Sequence, residues 1–110
     1  RQAGICAAAC LYALDHHVDR LADDHANARA LARGLSQIAG IEVQEPETNL
    51  VFFKPDGAGI PGDKMVSALR QRGVLLAMMD GRIRACTHLD VTATMIEETI
   101  GHVREIVRGA

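Results

Sequence analysis

Apolar and small residues recur at intervals of three and four along the first third of the chain. They occupy positions 11, 14, 18, 21, 25, 28, 32, 35 and 38, while Asp, Arg and Asn fill positions between them. This spacing places one apolar stripe along a helix. The pattern predicts a single long helix that Gly40 brings to an end. His25 lies on the stripe, which favours a histidine at the edge of the core over a catalytic one.

The beginning of this helix has a different pattern. Residues 3–14, "AGICAAACLYAL", are apolar or small on every side. A helix without a polar face is buried all round, and the rest of the chain is too small to surround it. We therefore expect this segment to pack against another subunit or against a larger domain.

The remaining residues alternate between strand and helix patterns. Residues 41–44 and 49–53 read as strands joined by the polar turn "EPET", and glycines and prolines mark residues 54–62 as a loop. The further predicted elements are a short amphipathic helix at 63–73, strands at 74–78 and 82–86, and a last helix capped by Thr92 or Thr94, with Met95, Ile96, Ile100, Val103, Ile106 and Val107 inward.

This order of elements predicts the fold class. A long N-terminal helix followed by β-β-α-β-β-α is an α+β protein, with a small, mostly antiparallel sheet covered on one face by helices. We expect residues 1–39 to form a connecting or interface helix and residues 40–110 to form a small α/β domain. Such a domain can be a freestanding binding or regulatory module, or the C-terminal small domain of a larger enzyme.

Composition and charge exclude several kinds of partner. The 110 residues are 48% hydrophobic and 24% charged, with a formal net charge of −2. The scattered basic residues and few aromatic ones do not indicate nucleic-acid binding. Charges interrupt every apolar run, so no membrane span or signal peptide is predicted. The odd count of three cysteines fits a reducing compartment, and we expect a cytoplasmic protein.

Two arginines alternate with apolar residues in the strand of "GRIRACTHLD", residues 81–90. Successive strand side chains point to opposite faces, so Arg82, Arg84 and Cys86 share one side. They could be solvated, which the neighbouring turn favours for Arg82, or they could converge on an anion. Arg84 lies deeper in the strand, where a guanidinium is costly unless it is paired. Its planar fork suits a carboxylate.

No metal site is predicted. Cys6 and Cys10 lie one helical turn apart, but no second pair or histidine stands at ligand spacing. The adjacent His16 and His17 point in different directions around the helix, so both cannot bind one metal ion. A cysteine-based redox or metal function would require Cys86 to meet Cys6 and Cys10 in space.

The other candidate polar residues give weaker signals. His88 follows the arginine strand and could support a site or bond the loop backbone, and Asp90 precedes the last helix, whose dipole favours a carboxylate. Lys54 and Lys64 lack the apolar surroundings that would make an amine nucleophilic. We therefore predict no catalytic residue in this chain.

Several segments together resemble one enzyme family. They are "RQAGICAAACLYALDHHVDRLADDHANARALARGL" at 1–35, "ETNLVFF" at 47–53, "RGVLL" at 72–76 and "GRIRACTHLDV" at 81–91. In order and approximate spacing they are similar to the low-specificity L-threonine aldolases, which are pyridoxal-phosphate lyases of the aspartate aminotransferase fold type. The resemblance covers essentially the whole chain.

The resemblance implies roles for two residues. The chain would correspond to roughly the last third of such an enzyme. Arg1 would match an arginine near the cofactor phosphate, and Arg84 would match the arginine that holds the α-carboxylate of a small-molecule amino acid substrate. The lysine that carries pyridoxal 5'-phosphate, the group stacked on its ring and the aspartate facing its ring nitrogen would lie upstream. The family also implies a homotetramer, a dimer of dimers.

The resemblance leads to the first functional hypothesis. The chain would be the C-terminal part of a lyase that cleaves L-threonine, L-allo-threonine or related β-hydroxy amino acids to glycine and an aldehyde, and it would be inactive alone because the cofactor lysine is missing. The alternative is a freestanding module that binds a small carboxylate on its arginine face. The two differ in whether other polypeptide must cover residues 3–14.

Overall fold

The computed structural model describes residues 1–110 as four helices and one four-stranded sheet. The α+β class is therefore confirmed. The elements are α1 (Ala3–His16), α2 (Leu21–Ser36), β1 (Glu42–Gln44), β2 (Leu50–Lys54), a 3₁₀ turn (Asp56–Ala58), α3 (Gly62–Gln71), β3 (Ala77–Met79), β4 (Arg82–Cys86) and α4 (Ala93–Arg108).

All neighbouring strands of the sheet are antiparallel, in the order β1-β2-β4-β3. The central pair β2 and β4 aligns Val51 with Ala85 and Phe52 with Arg84. Burial alternates along both strands, with Val51 and Ala85 buried and Phe52 and Arg84 half-buried. This period of two divides the sheet into a core face and an open face.

Helices α2, α3 and α4 cover the core face. Helix α2 packs against β1, β2 and α4, and α3 packs against β3, β4 and α4. The apolar core comprises Ala28, Leu31, Ala32, Leu35, Ile38, Ile41, Val51, Phe53, Ile60, Met65, Leu69, Ile83, Ala85, Ile96 and Val103. None of the helices combines the length and apolar character that crossing a bilayer requires.

The prediction of one long N-terminal helix is wrong. The helical path is interrupted between His16 and Leu21, where Leu21 N–H donates to Val18 O and Asp23 N–H donates to Arg20 O in the tighter i→i−3 pattern. No glycine or proline marks this break. The apolar stripe continues through it, but only α2 has a sheet beneath it, and helices in proteins gain most of their stability from such packing.

Helix α1 carries none of the buried residues. Its large apolar side chains are exposed, including Ile5, Leu11 and Leu14, at 77%, 62% and 65%. Burial of residues 3–14, as predicted, would therefore require another copy of the chain or other polypeptide. The stripe is confirmed in α2 at Ala28, Ala32 and Leu35, whereas His25 is only half-buried.

The C-terminal half follows the predicted order with local differences. Strand β3 begins three residues later than predicted, because Val74 N–H donates to Leu69 O and closes the end of α3. Thr92 is confirmed as the cap of α4, with its Oγ1 accepting from Met95 N–H at 3.2 Å. The predicted inward orientation of Met95 is wrong, since Met95 is 47% exposed.

Candidate functional site

The open face of the sheet carries the two arginines of β4. The residues that share this face by register are Glu42 and Gln44 on β1, Leu50, Phe52 and Lys54 on β2, Ala77 and Met79 on β3, and Arg82, Arg84 and Cys86 on β4. The predicted projection of Arg82, Arg84 and Cys86 from one side is therefore confirmed. This face has no helix over it, so its polar groups are available to a ligand or to another polypeptide.

Arg82 is already engaged by its neighbours. Its guanidinium carbon lies 4.5 Å from the centre of the Phe52 ring, a cation–π arrangement. Its Nη1 also donates to the side-chain oxygen of Gln44. These contacts hold Arg82 across β2 and β1, so this guanidinium has little freedom to reorient toward an anion.

Arg84 is held differently. It is half-buried between the buried Ile83 and Ala85, directly opposite Phe52 in the ladder, and its guanidinium makes no ion pair and no hydrogen bond. A guanidinium has five N–H donors in a fixed fork. Arg84 thus offers an unused bidentate donor set on a rigid central strand, which suits a planar carboxylate.

Side chains at the end of β4 fix the strand to its surroundings. Asn49 Nδ2 donates to Thr87 O at 2.8 Å and approaches Cys86 Sγ at 3.4 Å. The buried Thr87 donates its hydroxyl to Asp24 O in α2 at 2.7 Å. Sequence reasoning did not single out Asn49 or Thr87, although polar residues placed directly before one strand and after its partner are a detectable signal.

An ion pair with a buried carboxylate stabilises the turn of α2 whose carbonyl oxygen accepts the Thr87 hydroxyl. Asp24 is 4% exposed, and its two carboxylate oxygens accept from Arg20 Nη2 at 3.0 Å and Nη1 at 3.2 Å. The pair spans one helical turn, i to i+4, at the start of α2. Burial of this carboxylate is therefore compensated by a bidentate partner.

His88 and Asp90 belong to the loop after β4. His88 is exposed, and its Nδ1 accepts a hydrogen bond from Asp90 N–H at 3.2 Å. Of the two alternatives for His88, the structure favours bonding within the loop backbone. Both residues lie outside the open face.

Arg1 stands apart from Arg84. It is exposed, precedes α1 and makes no hydrogen bond or ion pair. Neither arginine lines any of the cavities. Within this chain the two predicted binding residues do not form a single site.

The remaining candidates are also dispersed. Cys6, Cys10 and Cys86 are free and exposed, and no three His, Cys, Asp or Glu side chains cluster as metal ligands would. His16 and His17 both lie beside the Tyr12 ring, with centroid distances of 4.2 and 5.5 Å. These positions do not support the alternative of a cysteine-based redox or metal function.

Comparison with known proteins identifies similar sequences for almost the whole chain. The β-eliminating lyase family model matches residues 1–58. Low-specificity L-threonine aldolase 1 of Arabidopsis thaliana is 36% identical over 104 residues, 91% of this chain and 29% of that protein. The low specificity L-threonine aldolase of Escherichia coli strain K12 is 38% identical over 106 residues, 94% of this chain and 30% of that protein. The chain thus spans about a third of the length of these relatives.

The Arg20–Asp24 pair gives a stability prediction. Arg20→Ala leaves the buried Asp24 carboxylate without its donors, so we expect the free energy of unfolding to fall by about 1–3 kcal/mol. The matched control is Arg72→Ala, which removes an exposed pair with Glu105 and should cost less than about 1 kcal/mol. Urea unfolding followed by circular dichroism measures both. Equal losses in the two variants would contradict the structural role of Asp24.

Proposed function

Because this chain belongs to the β-eliminating lyase family, we propose that it is the C-terminal, small-domain part of a threonine aldolase-like enzyme. The proposed reaction cleaves L-threonine, L-allo-threonine or another β-hydroxy amino acid to glycine and an aldehyde. The names of the relatives support this substrate class. The observation that carries the proposal is the unpaired, half-buried Arg84 on the open face.

In this proposal Arg84 binds the α-carboxylate of the amino acid. Two parallel N–H donors would fix both the position and the plane of the carboxylate. Holding the carboxylate in this way would fix the rotation of the bound amino acid about its bond between the amino nitrogen and Cα, and so would select which bond of Cα is placed for cleavage. Arg84 would then favour cleavage of Cα–Cβ over loss of CO2 or of the α-proton.

Arg82 has a supporting part in this arrangement. Its contacts with Phe52 and Gln44 keep it from competing for the same carboxylate. They also hold the Phe52 side chain beside Arg84, since Phe52 and Arg84 are cross-strand neighbours. The two arginines would thus differ in function although they share a strand and a face.

The proposed cofactor is pyridoxal 5'-phosphate, which takes up the electron pair released when the bond breaks. The residues of this chain are suited to contact only part of this cofactor. The exposed Arg1, which has no internal partner, fits a contact to the phosphate. Lys54 is half-buried at the end of β2, Lys64 is exposed on α3, and neither faces an enclosed apolar pocket.

The exposed apolar surface of α1 supports assembly with further polypeptide. We propose that it packs against the N-terminal part of the same enzyme and against other subunits, in a homotetramer built as a dimer of dimers. The three exposed, unpaired thiols are consistent with a cytoplasmic location. A freestanding carboxylate-binding module is the alternative, but it would have to cover α1 by simple self-association.

The first functional prediction concerns the isolated chain. The isolated 110-residue chain, supplied with pyridoxal phosphate and L-threonine, should release no glycine above the rate of cofactor alone, because neither Lys54 nor Lys64 lies in the enclosed apolar setting that would make its amine nucleophilic. Glycine release is measured by chromatography after derivatisation. Sustained turnover by the isolated chain would contradict the proposed division of the enzyme.

The second prediction concerns Arg84 in the natural protein at its full length. Arg84→Ala removes two charge-assisted hydrogen bonds, so kcat/KM for L-threonine should fall by roughly 10²-fold, taking about 1.5 kcal/mol per bond. The absorbance of the bound cofactor should be largely retained. Steady-state kinetics and a visible absorption spectrum measure the two effects.

The controls for Arg84 are Arg84→Lys and Arg82→Ala. Lysine keeps the charge but not the fork, so Arg84→Lys should restore activity only in part. Arg82→Ala should have a smaller effect than Arg84→Ala. Wild-type kinetics in Arg84→Ala would rule out the carboxylate role.

The third prediction concerns Arg1. In the natural full-length protein, Arg1→Ala should weaken retention of pyridoxal phosphate with little change in KM for L-threonine, because Arg1 shares no contact or cavity with Arg84 in this chain. Equilibrium dialysis of the cofactor measures this. An unchanged cofactor affinity would remove Arg1 from the site.

A further inference from the structure

Two side chains fasten the end of the strand that carries Arg84. We propose that Asn49 and Thr87 are positioning residues, which hold β4 so that the Arg84 guanidinium emerges at a fixed place on the open face. This inference rests on the proposed function of Arg84. It adds that the carboxylate-binding geometry is set by contacts three residues beyond Arg84.

The first contact closes the ladder between β2 and β4. Leu50 pairs with Cys86, so Asn49 and Thr87 form the next pair along. Thr87 N–H donates to Asn49 O at 3.0 Å, and Asn49 Nδ2 donates back to Thr87 O at 2.8 Å. The side-chain amide thus takes the place of a backbone donor and completes a reciprocal pair.

The alternation of an antiparallel ladder explains why this pair matters to Arg84. If Asn49 and Thr87 are a hydrogen-bonded pair, Val51 and Ala85 are the next one, and Phe52 opposite Arg84 is a non-hydrogen-bonded pair. The backbone of Arg84 is therefore held to β2 only through its neighbours. On its other side lies β3, a three-residue edge strand whose residues are all exposed.

The second contact ties the same point to α2. Thr87 is 1% exposed, and its Oγ1 lies 2.7 Å from Asp24 O and 3.4 Å from Asn49 O. Asp24 is in turn fixed by Arg20. This chain of contacts sets the position of the β4 terminus relative to a helix of the core, and not only relative to β2.

A small displacement of the β4 backbone at Thr87 would also move the Arg84 guanidinium. A misplacement of about 1 Å in an orienting group can cost about 10²-fold in rate. Loss of the Thr87 hydroxyl bond leaves most of the ladder intact, so we expect a smaller effect than loss of Arg84 itself. The expected signature is a lower kcat/KM with a retained fold.

The experiment uses the natural full-length protein with bound cofactor and L-threonine as the probe. Thr87→Val removes the hydroxyl at nearly constant volume and should lower kcat/KM by roughly tenfold, while Thr87→Ser should restore most of the activity. Thr99→Val removes a hydroxyl bonded to Met95 O on an exposed part of α4, and should leave kcat/KM unchanged. Asn49→Ala is the second variant if Thr87→Val does not fold.

Hydrogen–deuterium exchange supplies a readout independent of activity. The peptide that covers residues 82–88 should exchange faster in Thr87→Val or Asn49→Ala than in wild type, and Thr87→Ser should return it toward the wild-type rate. Peptides from α3 should not change. Unchanged exchange at 82–88 in both variants would overturn the positioning role.

A double-mutant cycle separates positioning from general damage. If Thr87 acts through Arg84, Thr87→Val should have little further effect on kcat/KM in an Arg84→Lys background. The same tenfold loss in both backgrounds would overturn this inference while leaving the Arg84 proposal in place. Wild-type activity in Arg84→Ala would overturn both, so the two failures are distinguishable.

Discussion

The antiparallel pairing of β2 with β4 is the constraint on which the rest of the structure depends. Its register puts Val51, Phe53, Ile83 and Ala85 under the helices and turns Arg84 to the other side. A slip by one residue would bury the guanidinium and expose the core residues of the strand. Burial of the apolar residues and presentation of Arg84 are therefore two results of the same alignment.

This constraint also explains how two arginines on one strand come to differ. Arg82 lies beside the turn and reaches Phe52 and Gln44, which satisfy it within the chain. Arg84, two residues further, lies between Phe52 on β2 and Ala77 on β3 and has no acceptor. A donor left without an acceptor on a rigid strand is a stronger indication of a binding role than the presence of arginine alone.

Periodicity together with turn residues predicted the β-β-α-β-β-α order, and periodicity alone predicted that Arg82, Arg84 and Cys86 share one side, because these features follow from local sequence. It did not predict the break between α1 and α2, since the residues at 17–20 contain no breaker and the stripe runs through them. The contacts of Asn49 and Thr87 with each other and with Asp24 join residues that are distant in sequence. No local pattern encodes such contacts. The roles of Arg84 and Arg1 came from the family resemblance and remain predictions.

The absence of buried residues in α1 has a consequence for how the molecule acquires its shape. A helix of 14 residues is marginal in water when nothing packs against it. In the proposed assembly, the free energy that keeps α1 helical would come from the surface that receives it, so ordering of this end of the chain and docking would be one coupled event. The sheet with α2, α3 and α4 carries its own core and does not share that dependence.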